Sequence, residues 1–143
     1  MQRPLRQRIL GLDVGTKRIG IVVSDPLGIF ATPLKTIERQ PEEKSMAQIN
    51  EICKEYDVSD IVVGLPKNMD GTVGFQAEDC QNFANRLKET FNFDIIFEDE
   101  RLTSRQAEMY LSEQKKKYTK DKGLVDIVSA SIILQQYLDR RRN

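Results

Sequence analysis

The segment ILGLDVGTKRIGIVVSD, residues 9–25, constrains the fold of this chain more than any other stretch. Ile9–Asp13 and Ile19–Ser24 are apolar runs of strand length, separated by a turn containing Gly15 and Lys17. They predict two paired strands. Gly28–Ile37 continues as a third, weakened by Pro33, which places it at a sheet edge or at a bulge. The period then changes. Met46, Ile49, Ile52, Cys53 and Tyr56 recur at steps of three and four, predicting a helix over 41–56. Asp60–Leu65 is a short β-branched run closed by Gly64 and Pro66, a buried strand, and 66–74 is a loop by its turn residues. Phe75–Thr90 is helical, with Ala77, Cys80, Phe83, Ala84 and Leu87 on one face, and Phe93–Phe97 is a further strand. Thr103, with Gln106 three residues on, opens a third helix through a capping box. A lysine-rich loop, 115–122, precedes a last helix over Lys122–Arg142. Three strands in a meander, then strands separated by helices, imply an α/β chain with a mixed five-stranded sheet flanked by helices. With no repeat or low-complexity linker, residues 1–143 are expected to form a single domain.

Composition narrows the chemistry by what is missing. The chain has no histidine and no tryptophan. A Ser-His or Cys-His nucleophilic pair and a histidine-ligated zinc are therefore excluded, leaving carboxylates, lysines, hydroxyls or a bound cofactor. Cys53 and Cys80 sit singly within apolar helical patterns and read as buried small hydrophobes. No apolar run reaches transmembrane length, and Gly11 and Asp13 interrupt the only run behind the basic N-terminus, so a cytosolic protein without a membrane partner is expected. Twenty-two acids balance 22 bases. That neutrality argues against indiscriminate coating of nucleic acid. The charges are nevertheless segregated, with KKKYTKDK at 115–122 and Arg140–Arg142 against an acidic DIIFEDE at 94–100. A neutral chain can still carry a basic face.

Three acidic positions stand out. Asp13 lies within a buried strand, where a charged carboxylate needs a compensating group, either the amides of the turn beyond it or a cation. Asp126 lies in LVDIVSASIIL, with Ser129, Ala130 and Ile133 as its helical neighbours; it either serves the amides of a first turn or looks toward the sheet. Glu98, Asp99 and Glu100 end a strand as three adjacent carboxylates, either solvated and paired with Arg101 or compensated by a cation. Acids from a first strand, a late strand end and a terminal helix can converge at one edge of a mixed sheet. Hard oxygen donors of this kind select Mg²⁺ or Mn²⁺. Two such ions roughly 3.5–4 Å apart activate a water and stabilise the leaving oxygen of a phosphodiester, chemistry that requires no histidine.

GLDVGTKRIG, VVGLPKNMDGT, DERLTS and VDIVSASIIL, in this order and spanning nearly the whole chain, resemble the four signature blocks of the YqgF family, also called RuvX. The resemblance implies a ribonuclease H-like fold and a Holliday-junction-resolvase-like nuclease acting in 5′-end maturation of pre-16S rRNA. It also implies a catalytic metal site made by Asp13, Glu100 and Asp126, with Asp99 as the substitute for Glu100. One departure from the wider RuvC-type pattern is visible. Those resolvases carry their second acid at the end of the strand matched here by Val62-Val63-Gly64-Leu65-Pro66, which has no carboxylate.

Lys17, Arg18 and Arg101 are the candidate phosphate contacts, with the 115–122 lysines as further substrate contacts. Structured RNA is the expected partner ahead of DNA, together with ribosomal precursor particles. Three other readings remain at this stage: a Holliday junction resolvase, a non-catalytic RNA- or ribosome-binding module, and a phosphate-binding ATPase. The last shares the Asp-x-Gly-Thr hairpin but needs a second domain to close over its nucleotide.

Overall fold

In the computed structural model the described residues are 8–100, 113 and 122–142, with backbone alone at 122–126 and 142. The helix expected from Thr103 and the 115–121 part of the lysine loop lie outside them. The elements run β1 (Arg8–Val14), β2 (Arg18–Ser24), β3 (Ala31–Glu38), α1 (Glu42–Tyr56), β4 (Val58–Leu65), α2 (Phe75–Phe91), β5 (Asp94–Asp99) and α3 (Lys122–Arg142). The strands form one mixed sheet in the order β3-β2-β1-β4-β5. β1, β2 and β3 pair antiparallel, whereas β4 lies parallel to both β1 and β5. The C-terminal ends of β1, β4 and β5 therefore lie side by side at one end of the sheet.

The sheet divides two apolar layers. Leu10, Leu12 and Val14 of β1, with Ile61 and Val63 of β4, pack on the stripe of α1 and α2 that includes Ile49, Phe83 and Leu87. Ile9, Val22 and Val62 point the other way, toward Ala130, Ile133, Leu134 and Leu138 of α3. Burial on both faces explains why IVVGL reads as an unbroken apolar run rather than an alternation. Each fully buried leucine or phenylalanine here contributes roughly 1.5–3 kcal/mol.

Two local expectations resolve in detail. β3 is an edge strand, and its register against β2 slips at Pro33, where the partner of Val22 is Pro33 and that of Ile21 is Lys35. β5 runs two residues further than the apolar pattern indicates, to Asp99, so that Glu98 and Asp99 belong to the pleat. α1 and α2 each end on a left-handed residue, Asp57 and Asn92, whose amides bond back to Cys53 O and Lys88 O. Among the described residues no helix is long and apolar enough to cross a membrane.

α3 sits directly on the strands. A Cβ added to Gly11 would come within 2.7 Å of Val22 Cγ2 and 2.9 Å of Leu134 Cβ, and one added to Gly64 would collide with Ile133 Cδ1. At both glycines the absent Cβ leaves room for an α3 side chain, Leu134 over Gly11 and Ile133 over Gly64.

Candidate active site

The site is built on the α3 face, at the end of the sheet where β1, β4 and β5 finish. Side chains alternate along a strand. Leu12 and Val14 face α1 and α2, so Asp13 shares the α3 face with Ile9 and Gly11. Its cross-strand partner on β2 is Gly20, and one step beyond the Leu12–Val63 pair its neighbour on β4 is Gly64. Neither flanking strand therefore presents a side chain beside the carboxylate. The Gly15 amide, in the turn beyond Asp13, is given to Arg18 O at 2.8 Å.

The acidic end of β5 separates into three roles. Phe97 and Ile95 pack on the α1–α2 side and Ile96 on the α3 side. The pleat therefore turns Asp99, opposite Leu65, to the α1–α2 face, and Glu98, opposite Gly64, to the α3 face. Glu98 is almost fully buried and is bonded by both terminal nitrogens of Arg140, each at 2.6 Å, and by Gln136 Nε2 at 2.7 Å. Glu100, just past the strand, reaches back over β4: its carboxyl carbon is 3.3 Å from the point where a Gly64 Cβ would stand. The place left open by the missing β4 acid is thus filled from the next strand. Of the two alternatives, Glu100 shares a face with Asp13 and Asp99 does not.

Both carboxylates also bear on one buried thiol. Cys80 on α2 is pushed up to about 12, first by burial and then by the negative charges of Glu100, Asp13 and Asp79. Its Sγ lies 3.4 Å from Val14 O, to which it donates. Cys53 is likewise pushed up to about 12 by burial. Both cysteines are free and buried, as their apolar surroundings in sequence indicate.

Asp126 lies on the first turns of α3, four residues before Ala130 and seven before Ile133, which meet the sheet. Its side chain, and Arg101 altogether, are outside the described residues. Among the described residues no group of three acidic, histidine or cysteine side chains gathers closely enough to hold a metal alone. The donor set suits a hard divalent cation, since Asp13 and Glu100 are both carboxylates on the α3 face of the sheet. Lys17 is exposed at the turn beyond Asp13, and Arg18 opens β2 opposite Glu38.

Two basic residues escaped the sequence pattern. Arg140, in the basic C-terminal stretch Arg140–Arg142, is the counter-ion of Glu98. Arg39, in the charged stretch ERQPEEK, is only 3% exposed and bonds Gly15 O, Asp79 and Glu42. Glu42 is local to Arg39, but Asp79 lies 40 residues from it and Glu98 lies 42 from Arg140, so the sequence pattern does not mark either pairing.

The family profile described as RuvX, Holliday junction resolvase, matches residues 7–140. A protein of Crocosphaera subtropica named as a candidate pre-16S rRNA nuclease is 52% identical over 133 residues, 93% of each chain. One of Clostridium acetobutylicum bearing the same name is 47% identical over 132 residues, 92% of this chain and 98% of that one. Among solved structures, T. thermophilus RuvC in complex with a Holliday junction substrate superposes with a TM-score of 0.57 at 12% identity, covering 96% of this chain and 97% of that chain. The fowlpox virus resolvase, in complex with Holliday junction DNA, gives 0.56 at 12% identity over 95% and 99%. The likeness to these resolvases identifies the sheet and its helices as a ribonuclease H-like fold. From the profile and the relatives alike, the chain belongs to the RuvX family.

Proposed function

We propose that this chain is a divalent-metal-dependent nuclease that hydrolyses phosphodiesters of structured RNA, acting in the cytoplasm on the 5′ end of pre-16S rRNA within ribosomal precursor particles. The observation that carries the reading is the Glu100 carboxyl over Gly64, on the face that also holds Asp13. The names of the relatives supply the substrate class. Asp13 and Glu100, with Asp126 from α3, are the residues that would hold Mg²⁺ or Mn²⁺. Bound there, the ion supplies Lewis-acid polarisation of a phosphoryl oxygen and a water made acidic enough to attack at neutral pH. The chain's own residues do the rest. Asp13 and Glu100 come from separate strand ends held by the two apolar layers, which supports an arrangement set before substrate arrives. Lys17 and Arg18, with Arg101, hold the polymer's phosphates along the turn beyond Asp13, which brings the scissile bond to the carboxylates.

The test is cleavage of a pre-16S 5′-end RNA by the wild type, Asp13→Asn and Glu100→Gln, with and without EDTA. Loss of cleavage in both variants and in EDTA, with unchanged melting, is expected. Wild-type activity in Asp13→Asn refutes the assignment. A four-way DNA junction belongs in the same assay, because the family description names that substrate. Preference for the junction replaces RNA processing with junction resolution, at the same carboxylates.

A further inference from the structure

Beneath the turn that follows Asp13 lies a knot of buried charge that the nuclease reading leaves unused. Arg39 is 3% exposed, and its guanidinium lies 5.2 Å from the centroid of the Phe83 ring. Each of its five N–H groups is engaged. Nε donates to Glu42 Oε2 at 3.2 Å, Nη1 to Gly15 O at 3.1 Å and Asp79 Oδ2 at 2.7 Å, and Nη2 to Glu42 Oε2 at 3.1 Å and Asp79 Oδ1 at 2.9 Å. Arg86 fixes Glu42 from the other side through Oε1. The Arg39 backbone N–H donates to Lys17 O at 2.9 Å, and Cys80, next to Asp79, donates to Val14 O.

The carbonyls of Val14, Gly15 and Lys17 are thus all gripped from the protein side, two of them by Arg39. A trans peptide holds its C=O and N–H on opposite edges. With Gly15 O bound inward, the N–H of Thr16 is directed outward, where the Thr16 and Lys17 side chains are exposed. An outward amide beside a lysine ammonium is an arrangement that receives a phosphate oxygen.

We infer that Arg39 is a positioning residue: held by Asp79 and Glu42, it braces the Gly15–Lys17 turn so that the Thr16 amide and Lys17 meet one phosphate of the nucleic acid beside Asp13. This deepens the nuclease reading and rests on it. Lysine cannot replace the arginine, because three donors on a point charge do not reproduce the planar five-donor fork.

The experiment is a double-mutant cycle on binding. Arg39→Lys, Asp79→Asn and Lys17→Ala, singly and in pairs, are titrated by fluorescence anisotropy with a labelled pre-16S 5′-end RNA over a range of salt. Asp79→Asn is the gentler change, since Glu42 still holds Arg39. Lys17→Ala is expected to flatten the salt dependence by about one phosphate contact. Arg39→Lys and Asp79→Asn are each expected to weaken binding by about tenfold, the scale of one charge-assisted contact. In the Lys17→Ala background that loss should shrink to near nothing, while their effect on melting temperature persists. Amide exchange at residues 15–18 should quicken in both variants, with the β1 and β4 cores unchanged. Additive binding losses, or wild-type binding in Arg39→Lys, overturn the brace while leaving a cleaving wild type intact as a nuclease. A wild type that neither binds nor cleaves overturns both.

Discussion

Gly64→Ala tests the centre of the structure with one methyl group. The new Cβ would collide with Ile133 Cδ1 and stand 3.3 Å from the Glu100 carboxyl carbon. Overpacking of this kind costs about 1–3 kcal/mol. For a chain of this size that lowers the melting temperature by about 3–10 °C. The same methyl pushes Glu100 by a few tenths of an ångström, and because a misplacement of about 1 Å can cost a hundredfold, a rate loss of about tenfold is expected. The two effects separate with a second substitution. Ile133→Val removes the clashing Cδ1 and by itself costs about 0.5–1.5 kcal/mol. In Gly64→Ala/Ile133→Val, stability should return toward that of Ile133→Val while cleavage stays reduced, because Glu100 is still displaced. Melting curves and single-turnover cleavage at saturating Mg²⁺ give both readings. If Gly64→Ala melts within about 1 °C of wild type and cleaves at the wild-type rate, then α3 does not rest on β4 and Glu100 does not stand over Gly64.

Three further outcomes follow from the buried charges and thiols. The hydrogen bond from Arg39, more than its Coulombic attraction, holds the Asp79 carboxyl below its ordinary 3.8. Its stabilisation is therefore present above that value and lost as pH falls through the lower folded one. Urea melts should show Asp79→Asn less stable at neutral pH, with the difference closing in strong acid and not in base. Cys53 and Cys80, both held near 12, should ignore a thiol reagent in the native state and react on unfolding. Arg140→Gln leaves Glu98 buried with Gln136 and should cost about 1–3 kcal/mol in a denaturant melt, a range kept modest because the Arg140 side chain is 54% exposed. Adding Glu98→Gln should recover part of that loss.

The elements were legible because their periods are clean. All five residues placed on the α2 face, Ala77, Cys80, Phe83, Ala84 and Leu87, are buried. Asp13 was legible as a carboxylate in an apolar strand. The preference for Glu100 over Asp99 came from the family resemblance and not from the local pattern, because the face each takes depends on the phase of the pleat, set by the register of β5 on β4. Arg39 and Arg140 escaped for a related reason. A solvated cation and an arginine committed to an internal carboxylate look alike in sequence until the distant partner, Asp79 or Glu98, is in place.

That neutralisation fixes how much charge an arriving ion encounters. Three carboxylates share the α3 face where β1, β4 and β5 end: Asp13, Glu98 and Glu100. Arg140 cancels the middle one, so α3 acts as a charge regulator as well as a lid on the sheet. On the proposed metal site, Arg140 lowers the negative charge that a divalent cation and a polyanion would both meet at this end of the sheet. On the same reading, a fold stripped of it would hold the ion more tightly and repel the nucleic acid more strongly.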